Sequence, residues 1–184
     1  ITLQHLEATL SGKRVLLVED NPVNREIAIS MLRQLDCHVD SAEHGAAALQ
    51  LLKNATELVY DAIVMDCLMP ELDGFSATRM IRQGHAGLLW KQIPILALTA
   101  NAMAEDRQRC LDAGMNDYLS KPYTLEQLQQ RLFALFSAPV GTALRNSALS
   151  INTQVASPAT KDDENHSSQL LWQTDIFQKN FKIY

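Results

Sequence analysis

Short, unbroken apolar runs of strand length, each followed by a helix-period pattern, constrain this chain more than any other feature. Val15–Val18 (VLLV), Ala62–Met65 (AIVM) and Ile93–Leu98 (IPILAL) carry no polar residue on either face. A strand with one wet face alternates apolar and polar residues. An unbroken run suits a parallel strand buried on both faces. Pro22 fits a first helical position, where its missing N–H costs nothing, and Ile27, Met31, Leu32 and Leu35 follow at helical spacing. Residues 37–41 read as a short second strand and Ala46–Leu52 as a second helix. A turn at Met69–Gly74 leads into a helix bearing Phe75, Met80 and Ile81; Asp117–Leu119 reads as a fifth strand and Leu125–Phe136 as the last helix. Five βα repeats in about 120 residues predict an α/β fold, a doubly wound five-stranded parallel sheet with helices on both faces.

Composition sharpens the boundaries. The 184 residues carry a formal net charge of −5. Residues 14–136 hold all of this excess, because the flanks are balanced in charge. So acidic a body lacks the basic footprint of a nucleic-acid binder, and no run approaches the ~18 apolar residues of a spanning helix. Residues 1–13, with Leu3, Leu6 and Leu10, read as a lead-in linker, and 14–136 as the globular domain. From Ser137 the texture turns small and polar, so 137–184 read as a linker or tail. Within it Leu170, Leu171, Ile176, Phe177 and Phe181 suit either a loosely docked tail or the first helix of a further domain. A start at Ile1 without a signal-peptide pattern leads us to expect an internal segment of a longer, cytoplasmic chain. Cys37, Cys67 and Cys110 are odd in number and form no C-x-x-C, so they read as free thiols in a reducing compartment.

Doubly wound sheets bind ligands beyond the carboxyl ends of their strands, which directs attention to what stands there. Strand one ends in Glu19-Asp20, strand three in Asp66 and strand four in Thr99, while strand five runs through Tyr118 to Lys121. Taken singly, Glu19-Asp20 could cap the first helix, Thr99 could cap the fourth and Lys121 could be a solvated charge. Their joint occurrence suits a phosphoryl-transfer site. Converging carboxylates repel by on the order of a few kcal/mol per pair, a repulsion that Mg²⁺ relieves. A carboxylate also serves as a nucleophile toward phosphorus, and an ammonium and a hydroxyl stabilise the charge on the transferred oxygens.

With these residues in place, the chain resembles a response-regulator receiver domain of two-component signalling. The resemblance rests on VLLVEDNPVNREIA (15–28), YDAIVMDCLMPELDGF (60–75), IPILALTANAM (93–103) and AGMNDYLSKPYTLEQL (113–128). It implies a flavodoxin- and CheY-like sheet with strand order 2-1-3-4-5. It implies Asp66 as the phosphoacceptor, taking its phosphoryl group from a phosphohistidine. Asp20 and Asp66 would be direct Mg²⁺ ligands, with the backbone carbonyl of Leu68, and Glu19 would act through water. Thr99 and Lys121 would hold the phosphoryl oxygens, Tyr118 would be the aromatic switch, and Lys121-Pro122 a cis peptide. The switch would repack the surface of helix four, strand five and helix five.

DNPVN (20–24) and LTANAM (98–103) are similar to receivers of hybrid sensor histidine kinases, as is the lead-in Leu10–Val15. The partners this implies are a histidine kinase core, a histidine-phosphotransfer domain, or both. It implies no nucleic acid and no direct membrane contact by this segment, whose parent protein could be anchored in an inner membrane. No kinase ATP-binding motif, phosphorelay histidine motif or helix-turn-helix pattern is visible. An alternative is a pseudo-receiver that docks on a kinase without phosphotransfer. A small-molecule phosphatase of the haloacid-dehalogenase type would want a second Asp where Leu68 stands, and a dinucleotide-binding domain would want G-x-G-x-x-G after the first strand. Apolar Leu68 cannot orient a hydrolytic water, which leaves that role to Asn101. The sequence also suggests that Leu88, Leu89 and Trp90 pack locally, with docking as the other option.

Overall fold

The structure, a computed structural model, describes residues 10–100 and 104–137. Among them, five parallel strands form one sheet: β1 (Arg14–Val18), β2 (His38–Ala42), β3 (Ala62–Asp66), β4 (Ile95–Thr99) and β5 (Asp117–Ser120). Their spatial order is β2-β1-β3-β4-β5. The helices are α1 (Pro22–Gln34), α2 (Gly45–Asn54), α3 (Gly74–Gln83), α4 (Ala104–Ala113) and α5 (Leu125–Ser137), with a 3-10 turn at Leu88–Trp90. This is the doubly wound sheet and strand order that the residues and the resemblance implied.

The packing explains the unbroken apolar runs. Successive side chains of a strand point to opposite faces, and both faces here are covered. Val15 and Leu17 of β1 join Val64, Leu96 and Leu98 against Ala28, Ile29 and Leu32 of α1 and Leu128, Leu132 and Leu135 of α5. Leu16 and Val18 face the other way, with Ile63, Met65, Ile95 and Ala97, against α2, α3 and α4. Leu10, the first described residue, is fully buried in the α1–α5 layer.

β1 pairs with β2 on one side (Val15 opposite Val39) and with β3 on the other (Val15 opposite Ala62). The chain therefore leaves β1 in one direction and returns to β3 in the other. The loops beyond β1 and β3 part, opening a crevice at their carboxyl ends.

Three details differ from the sequence expectation. In α1, Ile27 stands 48% exposed and the buried stripe runs through Ala28, Ile29 and Leu32, so the helix is rotated relative to the expected face. β2 starts at His38, because the Cys37 N–H closes the end of α1 on the Leu32 carbonyl (3.1 Å). β4 starts at Ile95, because Pro94 has no N–H for the ladder; its carbonyl still accepts from the Ile63 N–H (2.9 Å). The 3-10 turn divides its residues. Trp90 is buried and its Nε1 donates to the Leu52 carbonyl at 2.8 Å, while Leu88 is 79% exposed and Leu89 44%.

Candidate functional site

Local sequence delivers each group to the crevice. Beyond β1 the Glu19 N–H still donates to the Ala42 carbonyl (3.1 Å), which holds this residue against the sheet edge, 1% exposed. The cap of α1 is Asn21, whose Oδ1 accepts from the Val23 and Asn24 N–H groups at 2.9 and 3.1 Å. Glu19 and Asp20 are thereby free of capping duty. One turn on, Arg25 donates to the backbone carbonyls of Glu19 (2.9 Å) and Asp20 (3.3 Å), and Asn24 Nδ2 donates to Glu19 Oε1 (3.3 Å).

Asp66 closes β3, buried, with its Oδ1 accepting the Leu68 N–H at 3.2 Å. The returning chain presses on it from α3, which Asp73 caps. A Cβ at Gly74 would lie 2.1 Å from the Asp66 carbonyl oxygen, so no side chain fits there. Lys121 follows β5, its N–H bonded to the Thr99 carbonyl at 2.7 Å, and the Lys121–Pro122 peptide is cis.

These groups converge. Glu19, Asp20 and Asp66 each present a carboxylate oxygen, all within 4.8 Å of one another. Lys121 Nζ donates to Glu19 Oε2 at 2.6 Å and to Asp66 Oδ2 at 2.7 Å. One ammonium among three carboxylates leaves the crevice negative. Burial pushes the Glu19 carboxyl above its ordinary value, opposed by the Lys121 hydrogen bond and reinforced by the charge of Asp66. Burial by itself would lower the Lys121 ammonium, but its bonds to Asp66 and Glu19 outweigh that and raise it. Oxygen-only, partly buried and net-negative, this donor set fits a hard divalent cation such as Mg²⁺.

The remaining expected residues stand around this cluster. Thr99 is buried at the end of β4, in register with Ser120. Tyr118 lies further back on β5, opposite Ala97. It is half-buried between Arg107 of α4 and Arg131 of α5, whose guanidinium carbons are 5.9 and 5.7 Å from its ring centre. The Leu68 side chain is 61% exposed at the rim. A cleft of about 370 Å³ beside the cluster runs between Asn24, Ile27 and Met31 of α1 and Lys121–Tyr123. Asn101, Leu3, Leu6 and the 138–184 tail lie outside the described residues. Asn24, Arg25 and Gly74 were not singled out from sequence. Asp-Gly at the start of α3 was the available signal for Gly74, whereas nothing local marks Arg25 as a clamp on two carbonyls.

A doubly wound sheet carrying three carboxylates and a lysine at its carboxyl edge joins an open α/β fold to an acidic crevice at its strand ends. Residues 15–133 match the family model of the response regulator receiver domain, and the chain belongs to that family: it is a receiver domain of two-component signalling. It is 40% identical over 121 residues to hybrid signal transduction histidine kinase L of Dictyostelium discoideum, a match covering 66% of this chain and 7% of that kinase. The chain thus corresponds to a small part of such a relative. Among solved structures, the receiver domain of the sensor histidine kinase PA1611 of Pseudomonas aeruginosa is 46% identical with a TM-score of 0.61, covering 70% of this chain and all of that one. That structure has a magnesium ion coordinated in its active-site cleft. The Ssk1 receiver domain of Saccharomyces cerevisiae, solved with the histidine phosphotransfer protein Ypd1, is 31% identical with a TM-score of 0.60, covering 68% of this chain and 89% of that one. Among the described residues, no helix is long and apolar enough to cross a membrane.

Proposed function

We propose that this domain, residues 14–136, takes a phosphoryl group from a phosphohistidine onto Asp66 and relays it within a hybrid sensor histidine kinase. The observation that carries this reading is the cluster itself: Asp66 at a strand end, two further carboxylates within 4.8 Å, and Lys121 bonded to Asp66 and Glu19. An Asp66 oxygen forms the new P–O bond as the P–N bond to histidine breaks.

Asp20, Asp66 and the Leu68 backbone carbonyl would hold Mg²⁺, with Glu19 acting through water. Bound there, the ion supplies positive charge against the phosphoryl oxygens. Lys121, already on Asp66, exchanges part of its bond to the carboxylate for one to a phosphoryl oxygen, and the Thr99 hydroxyl takes another. Burial of Asp66 and Thr99 keeps competing water off these bonds. Drawing Thr99 toward the phosphoryl group opens space into which Tyr118 turns from its place between Arg107 and Arg131. The phosphoryl group thereby favours one of two packings of the α4–β5–α5 surface.

The partner is a histidine kinase core or a histidine-phosphotransfer domain, as the Ypd1-bound Ssk1 receiver suggests. We place the domain in the cytoplasm, with 1–13 and 137–184 as connections to the rest of the parent chain. A docking module without phosphotransfer has no observation in its favour, because every side chain the chemistry needs is present.

Incubation with acetyl phosphate and Mg²⁺ followed by intact mass tests the reading. Wild type is expected to gain about 80 Da, one phosphoryl group, only with Mg²⁺, and Asp66→Asn to gain nothing. Absence of the adduct with small donors and with a phosphorylated histidine kinase fragment alike would overturn it.

A further inference from the structure

Directly behind the phosphoacceptor lies a pair of sulfur atoms that the phosphotransfer chemistry does not use. Cys67, the residue after Asp66, and Cys110 of α4 place their Sγ atoms 3.9 Å apart, and both residues are buried (1% and 2% exposed). The third cysteine, Cys37, is packed in the opposite layer with α1 and α5, across the sheet from this pair. Cys67 and Cys110 are therefore each other's only cysteine neighbour among the described residues.

The two ends of this contact are held very differently. Cys67 is fixed by the main chain, its N–H on the Leu98 carbonyl (2.9 Å) and its carbonyl accepting the Gly74 N–H (3.1 Å). α4 has a thin hold on the core, with Cys110 and Ala113 as its buried residues. An element with so few buried groups opens locally at lower cost than the sheet does. That opening gives a small oxidant access to the thiols, and it makes α4 the partner that moves.

We propose that Cys67 and Cys110 are an oxidisable pair whose disulfide fastens α4 to the end of β3 beside Asp66. A disulfide needs an S–S distance of about 2.05 Å, so the sulfurs close nearly half of their present 3.9 Å separation, and α4 shifts because β3 is pinned. With a peroxide as oxidant, one thiol sulfur takes a hydroxyl and releases water. The second sulfur displaces that hydroxyl as a second water. Two thiols and one peroxide thus become one disulfide and two waters, the sulfurs losing two electrons. A dithiol reverses the step. The functional consequence rests on the receiver reading: a tethered α4 restricts the surface that phosphorylation of Asp66 is proposed to repack.

The test uses the full chain, treated with hydrogen peroxide or diamide, alkylated under denaturing conditions, and mapped by peptide mass without reduction. The expected result is a loss of about 2 Da and a linked peptide containing Cys67 and Cys110, reversed by dithiothreitol. It should be retained in Cys37→Ser and lost in Cys110→Ser. Hydrogen exchange of wild type should show α4 amides exchanging at least about twofold more slowly after oxidation. Because mass and exchange are read without phosphorylation, this idea stands or falls separately from phosphoryl transfer to Asp66. Both thiols remaining alkylatable after treatment, or crosslinks formed through Cys37 instead, would sink it. So would a linked peptide with α4 exchange unchanged, since the tether would then constrain nothing.

Discussion

The two edges of the sheet use charge in opposite ways. At the amino edge, Lys13 pairs with Asp61 (3.0 Å) and Arg14 with Asp40 (2.9 Å), each cation matched to one carboxylate and each side chain about 36–48% exposed. At the carboxyl edge, Lys121 is shared between Glu19 and Asp66, with Asp20 close by, and the Glu19 and Asp66 side chains are 2% and 9% exposed. Water screens the first set and leaves it nearly neutral to stability. The second is shielded from water and has too few cations. An arrangement that a folding-only criterion would avoid is what the phosphoryl and metal site proposed above requires, so the fold carries its electrostatic strain at the proposed site.

Glycine substitutions test this contrast most severely. Gly74→Ala would drive a methyl into the Asp66 carbonyl and is expected to cost about 4 kcal/mol or more. Gly12→Ala at the amino edge, at φ +74° with nothing within 4 Å, should cost only about 1 kcal/mol of backbone strain. Urea titrations of both variants measure the difference, and equal costs would erase the contrast.

Lys121→Met removes the shared cation and should destabilise by about 3 kcal/mol, with part of the loss recovered by adding Mg²⁺ in a thermal melt. If Mg²⁺ restores nothing, the carboxylates do not form a cation site.

Glu19→Gln addresses pH. The folded carboxyl of Glu19 lies above its ordinary value of 4.5, so the native state holds its proton more tightly than the unfolded chain. That contribution is present below about pH 4.5 and is lost as pH rises through the folded value. The variant should therefore match wild type at low pH and exceed it at neutral pH. A constant gap across the range would show that burial is not what shifts this group.

The smallest effect belongs to the amino edge. Asp40→Asn should change stability by no more than about 0.5 kcal/mol in the same titration, leaving the site untouched. A loss comparable to that of Lys121→Met would mean that the two edges are alike after all.

Much of this was legible because the signals were local. VLLV and AIVM declared parallel strands, since a run apolar on both faces has few other uses. Pro22, after a polar residue fit to cap, marked the start of α1. The rotation of α1 was not legible: Ile27 and Ile29 are equally apolar, and only the α1–α5 layer chooses which is buried. Trp90 and Leu88 look alike in sequence, yet the Leu52 carbonyl receives one of them and solvent the other. The acidic and basic members of the site stood out at strand ends, but the sharing of one ammonium between Glu19 and Asp66, residues far apart in the chain, did not.

By itself, then, the sequence determined the alternation of strands and helices, the order in which reactive side chains reach the strand ends, and the acidic balance of the domain. These depend on side-chain chemistry and short-range periodicity, which a single segment carries. Only the tertiary structure decided which helix face is buried, why position 74 admits no side chain, how Arg25 clamps the Glu19–Asp20 carbonyls, and that two cysteines meet behind Asp66. The helix face and the cysteine contact join segments remote in sequence, and the Arg25 clamp and the crowding at Gly74 depend on how the loops at the strand ends turn back; all of these are fixed when the sheet closes and its two layers pack.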